Sequence, residues 1–176
     1  MALDSDNVRV AVTGAVYVGP TSASAPSSSG STLTGFTDLG YVSADGITET
    51  IERTTNQIRA WQGGALVREV TSEGTYSVAL TFIETNEDVL ELYFGSTITD
   101  GVLNGDPTQS GGRKSFVIDV VDGSIVERTY IPAGEITAVG ERTLASGEAI
   151  GYNVTITAYA DTSNVTYKKF FSELES

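Results

Sequence analysis

Apolar and polar residues alternate at period two through much of the chain. Over residues 7–18, Val8, Val10, Val12, Val16 and Val18 take the even positions, while Arg9, Ala11, Thr13, Ala15 and Tyr17 take the odd ones. That is the pattern of a strand with one core face. Gly14 interrupts the even face and predicts a bulge or a close backbone approach. Tyr76, Val78, Leu80 and Phe82 alternate with Ser77, Ala79, Thr81 and Ile83 as a second buried strand. Ile150, Tyr152, Val154, Ile156 and Ala158 give the cleanest alternation of all. Between these, Phe116, Ile118 and Val120 lead into Asp122-Gly123, a type I′ hairpin signal, and Val126, Arg128 and Tyr130 return. Pro132-Ala133-Gly134 is expected to turn the chain, with another strand over residues 135–142 and a turn at Ser146-Gly147.

Residues 47–72 read differently. Two arms flank Gln62-Gly63-Gly64, where Gly-Gly supplies the positive φ of a tight reversal. Ile47, Glu49, Ile51 and Arg53 alternate with Thr48, Thr50, Glu52 and Thr54, and the return arm sets Ala65, Val67 and Glu69 against Leu66, Arg68 and Val70. Neither face is cleanly apolar. A hairpin charged on both faces cannot lie flat on a core, so it projects into water or lines something wet.

The period changes once. Residues 85–95 predict a short helix over 86–94: Thr85 or Asn86 can N-cap, Glu87 and Asp88 suit the positive end of the dipole, and Gly95 ends it. Val89, Leu92 and Tyr93 share its apolar face. Residues 97–113 are polar and Gly-rich, hence loop. Residues 21–34 are a run of small, turn-favouring side chains, expected to form a flexible loop that orders on contact with partners. Shortening it should then spare the folded monomer. Residues 163–176 close the fold or form an arm.

Composition supports the β reading, since Thr (23) and Val (18) outnumber Leu (10). About eight or nine strands with one helix suit a mainly β sandwich or barrel in a single domain over residues 1–176. The chain has no cysteine and no histidine. Disulfides, thiol nucleophiles, the usual zinc sites and histidine-based catalysis are therefore excluded. No phosphate-binding glycine loop is present. Asp4-Ser5-Asp6-Asn7 superficially matches a calcium loop, but Val8 and Ala15 stand where two ligands are required. Asn153 and Asn164 begin sequons, read here as strand residues because the acidic first residues carry no export signal. That implies synthesis in a cytoplasm. The apolar stretches are too short to span a membrane, and no cofactor, metal or enzymatic activity is expected.

The net charge is -13, which repels nucleic acid and anionic lipid. Of only ten basic residues, Arg53, Arg59 and Arg68 all fall on the 47–72 hairpin. In so acidic a protein they are candidates for meeting carboxylates of a neighbouring copy, or are simply solvated. Trp61, the single tryptophan, reads equally as a hairpin-packing aromatic and as an intersubunit anchor.

The stretch Asp38-Leu39-Gly40-Tyr41-Val42-Ser43-Ala44-Asp45-Gly46-Ile47-Thr48-Glu49, with Ile51-Glu52-Arg53, Ile58-Arg59-Ala60-Trp61-Gln62-Gly63-Gly64 and Val67-Arg68, resembles the major tail tube proteins of long, non-contractile-tailed bacteriophages. The similarity is to those of actinobacterial phages in particular. It continues through Thr81-Phe82-Ile83-Glu84-Thr85-Asn86 and Val89-Leu90-Glu91-Leu92-Tyr93-Phe94-Gly95, so it covers residues 36–95.

The resemblance implies a β-sandwich with one flanking helix, assembled into hexameric rings stacked as a hollow tube. Strands of all subunits would build the inner wall, and viral DNA would pass along it without tight binding. Tape measure, tail terminator and distal tail proteins are the implied partners. On this reading the hairpin has one face on the channel and the other under neighbours. The two candidate wall sets are Glu49 with Ile51 and Arg53, and Thr48 with Thr50 and Glu52; the second, wholly polar, suits a wetted wall. Arg53, Arg59, Trp61 and Arg68 become candidate intersubunit contacts. Two other classes compete: a virion decoration or receptor-binding β-domain contacting host glycan, and a carboxylate-dependent hydrolase.

Overall fold

One strand, Ile125–Val139, is long enough to belong to two layers, and the architecture follows from how it bends. The computed structural model describes residues 7–175, so Asp4, Ser5 and Asp6 of the calcium-like pattern, and Ser176 of the C-terminal segment, lie outside the described residues. In chain order the elements are β1 (Thr13–Gly19), β2 (Thr37–Asp38), β3 (Val42–Arg59), β4 (Leu66–Phe82), α1 (Glu87–Phe94), β5 (Ile98–Thr99), β6 (Val102–Leu103), β7 (Lys114–Asp122), β8 (Ile125–Val139), β9 (Tyr152–Tyr159) and β10 (Lys168–Phe171). Eight strands form one antiparallel sheet in the order β2-β1-β7-β8-β9-β4-β3, with β10 also on β8, and β5-β6 make a separate ribbon. No helix among the described residues is long and apolar enough to cross a membrane.

The first half of β8 pairs with β7 on one edge and β10 on the other; from Ala133 onward it pairs with β9. Pro132-Ala133-Gly134, expected as a turn, instead lies inside the strand and bends it. Pro132 sits between Tyr130, the last partner of β10, and Ala133, the first partner of β9, at a register shift against β7. Its missing N–H therefore falls where the ladder is already interrupted. The buried Ser115 hydroxyl donates to the Pro132 carbonyl at 2.8 Å. At Gly134 an added Cβ would come within 2.7 Å of the Phe116 ring and 2.9 Å of Ile156, so the bend brings the two layers too close for any side chain.

The bent sheet encloses Val16 and Val18 of β1, Phe116 and Ile118 of β7, Tyr76 to Phe82 at alternate positions of β4, and Tyr152 to Ala158 likewise on β9. The helix lies at the open end with Val89 and Leu92 buried. Asn86 accepts from the Val89 N–H at 2.9 Å as N-cap, and its amide donates to the Leu39 carbonyl at 3.1 Å. Gly95 ends the helix at φ 67°, a left-handed cap that glycine adopts without strain.

Several expectations are corrected. Val8, Val10 and Val12 are 71%, 62% and 69% exposed, because β1 begins only at Thr13. Thr13 pairs with Val121, near the end of β7, so the residues before it run past the sheet; there the Val10 N–H donates to Asp122 Oδ2 at 3.0 Å. Gly14 marks a close approach and not a bulge: the register is continuous, and a Cβ would stand 2.5 Å from the Asp119 carbonyl oxygen. The β7-β8 turn is Gly123-Ser124, with positive φ (62°) at the glycine and not at Ser124. That is the type II′ pattern, with Gly first, and not I′. Asn164 stands in a turn with φ 61°, whereas Asn153 is in β9.

The 21–34 segment is also not a bare linker. On the far side of β7-β8 from the core, Val117 and Tyr130 are buried, with Phe36 edge-on to Tyr130. Beside them Arg128 makes a bidentate pair with Asp119, both contacts 2.7 Å. Its remaining nitrogen donates to the carbonyls of Ser31 (2.6 Å) and Ser28 (3.3 Å), while buried Ser29 donates through N–H and hydroxyl to Glu175. The loop thus covers a polar cluster with its own backbone, and shortening it would uncover a buried ion pair.

Candidate assembly surface

The β3-β4 ladder runs from Val42 opposite Phe82 to Arg59 opposite Leu66, longer at both ends than the 47–72 hairpin read from sequence. Only its root meets the body. Residues 48–59 and 61–75 are all exposed, so the arm projects with both faces bare. The tip closes with the Ala60 N–H on the Ala65 carbonyl at 2.8 Å, and Gly63 and Gly64 carry φ of 71° and 68°. Trp61 is 95% exposed and packs on nothing in its own chain, which removes the hairpin-packing alternative.

Residues directly opposite in an antiparallel ladder share a face. Tyr76, Val78 and Leu80 point to the core, so their partners Ile51, Glu49 and Ile47 do too, and Arg53 follows. Thr48, Thr50 and Glu52 therefore stand together on the outer face, opposite Ala79, Ser77 and Thr75. The same face continues across β9 at Thr155 and Thr157 and onto β8 at Glu135 and Thr137. The hydroxyls of Thr137 and Thr157 lie 2.7 Å apart, and the Asn153 amide donates to the Thr81 hydroxyl at 3.0 Å. From Glu73 to Thr81 on β4 and across these neighbours the wall is hydroxyl-rich, carries Glu52, Glu73 and Glu135, and includes no lysine or arginine.

The three arginines do not share a face. Arg53 and Arg59 lie on the core-side face, Arg68 on the outer one opposite Ile58. Arg59 donates to the Gly64 carbonyl and to Gln57, bracing the tip. Arg53 and Arg68 make no hydrogen bond or ion pair among the described residues. Beside them the arm exposes Ile51 (55%), Ile58 (50%), Leu66 (49%) and Val67 (65%). Sequence reading passed over these because they are divided between the two faces and form no periodic stripe.

At the root, Lys169 on β10 donates to Glu49 on β3 (2.8 Å) and Glu127 on β8 (2.6 Å), and Tyr76 stacks on Tyr167 with ring centroids 4.1 Å apart. This knot joins residues remote in sequence, which no local pattern announces. Burial disfavours the Lys169 charge, but its hydrogen bonds to Glu127 and Glu49 outweigh that and raise its pKa. Burial, then Glu49, pushes the Tyr76 phenol well above its ordinary value. Both groups hold their protons more tightly folded than unfolded. Stability is thus complete below about pH 10, and above it the unfolded chain releases protons first and unfolding is favoured. Denaturant melts between pH 8 and 11.5 should show this loss, with a shallower slope in Lys169→Met and in Tyr76→Phe; a slope unchanged in both would contradict the assignment.

The profile of a family described as phage tail tube protein matches residues 1–173. No curated protein sequence matches the chain. Among solved structures, the tube-terminating cap of an anti-feeding prophage is similar in fold, at 12% identity and a TM-score of 0.50, over 96% of this chain and 98% of that one. A chain of a native gene transfer agent virion aligns at 11% identity and a TM-score of 0.42, over 77% of this chain and 88% of that one.

Proposed function

The chain belongs to the phage tail tube protein family, whose members are structural and not enzymatic, and from that premise we propose that it assembles into stacked hexameric rings forming the hollow tube through which the genome passes. The observation that carries this reading is the uncovered hydroxyl-rich face of β8-β9-β4-β3. A packed sheet normally buries both faces or turns one to solvent; here the second face is also acidic, as a conduit for DNA requires. Like charge keeps phosphates from binding, so the polymer slides without being held. Thr48, Thr50 and Glu52 then line the bore. The exposed arm supplies contacts between copies through Trp61, Arg53, Arg59 and Arg68, the arginines offsetting repulsion between subunits that each carry -13. Tape measure, terminator and distal tail proteins are the partners at the tube's interior and ends.

Negative-stain microscopy of the purified protein tests this. Rings, or tubes of uniform width, are expected at high concentration. A strictly monomeric protein, with antibody labelling at the tail tip and none along the shaft, would overturn it.

A further inference from the structure

Both edges of the polar sheet are open. Strand β3 is paired only with β4, and after Gly134, where β7 has ended at Lys114, β8 is paired only with β9. Along that β8 edge runs a groove of about 460 Å³, lined by residues 136–139 on one side, 105–110 on another, and Leu92 to Gly95 of α1. Open edges are templates for strand addition unless they are blunted. We propose that a second copy of this chain fills the groove: the free edge of β3, over residues 47–54, adds antiparallel to residues 135–139 of β8 in the next subunit.

Two features select this pairing. The strands β8, β9, β4 and β3 alternate in direction, and because their number is even, a rotational repeat brings β3 antiparallel to the next β8. Such a head-to-tail contact closes into a ring, whereas β3 on β3 or β8 on β8 would stop at a dimer. The faces also match. β3 sets Thr48, Thr50 and Glu52 against Ile47 and Ile51; β8 sets Glu135 and Thr137 against Ile136 and Val139. In phase, the hydroxyl wall continues across the junction, and the isoleucines fall toward Leu92 and Phe94. A slip of one residue would reverse both faces.

This inference rests on the ring reading, and the test separates the two. The chain has no native cysteine, so Thr137→Cys can be combined in turn with Thr48→Cys, Thr50→Cys and Glu52→Cys. Oxidised assemblies of at least one combination should give a ladder of covalent oligomers on denaturing gels, and Thr137→Cys with Glu49→Cys, on opposite faces, should give none. Hydrogen exchange on the unmodified protein provides a second measurement, with residues 47–54 and 135–139 both gaining protection on assembly. Rings that form with no ladder and no protection would overturn the edge pairing while leaving the ring reading intact. Absence of rings even in the unmodified protein would overturn both.

Discussion

Arg128→Ala should destabilise the protein by about 3–5 kcal/mol, the cost of leaving one member of a buried ion pair alone. The side chains of Arg128 and Asp119 are only 8% and 12% exposed. The substitution strands the Asp119 carboxylate and the carbonyls of Ser28 and Ser31 at once, and it frees the 21–34 segment that shields Val117 and Tyr130. For a chain of this size the melting temperature should fall by on the order of 10 °C or more. The double variant Arg128→Ala with Asp119→Ala should recover part of the loss, because no buried charge then remains unpaired. Scanning calorimetry of the three proteins checks this, and a single variant within 2 °C of the parent would show that the cluster contributes little.

The largest effect on assembly should come from the arm. Joining Thr54 to Glu73 through Asn-Gly removes Trp61, Arg59 and Arg68 together with the exposed apolar residues, and keeps a two-residue hairpin between directly paired positions. Because residues 55–72 make no contact with the core, the monomer should keep its melting temperature within about 2 °C, as surface changes do. Assembly should weaken on the order of 100-fold or more in the concentration required, since anchor residues of this kind dominate interfaces. Sedimentation across a concentration series reads both outcomes. Tubes at the parent concentration would place the intersubunit contacts elsewhere.

The legible parts of the fold are those where one strand face is buried within a local window. Alternation on β4 and β9 and the capped helix could be read because burial imposes its period directly on neighbouring residues. The long β8 could not, since Pro132 and Gly134 carry the same local signal whether they end a strand or bend it, and only the change of partner from β10 to β9 decides. Val8 to Val12 kept the strand period where β7 no longer offered a partner. The loop at 21–34 looked empty because its contribution is backbone carbonyls, which have no residue code. For the candidate surface, alternation alone separated Thr48, Thr50 and Glu52 from Glu49, Ile51 and Arg53, but the side that faces outward follows from the pairing with Tyr76 and Val78. Lys169, with its partners on two other strands, had no local signature.

The central claim is that the hydroxyl-rich, acidic face of β8-β9-β4-β3 forms the wall of a channel, and an electron cryomicroscopy reconstruction of the assembled protein tests it most directly. Thr48, Thr50, Glu52 and Glu135 should point to the tube axis, with β1, β7 and the 21–34 loop on the outside. A map with that face turned outward, or buried between stacked rings, would contradict the account.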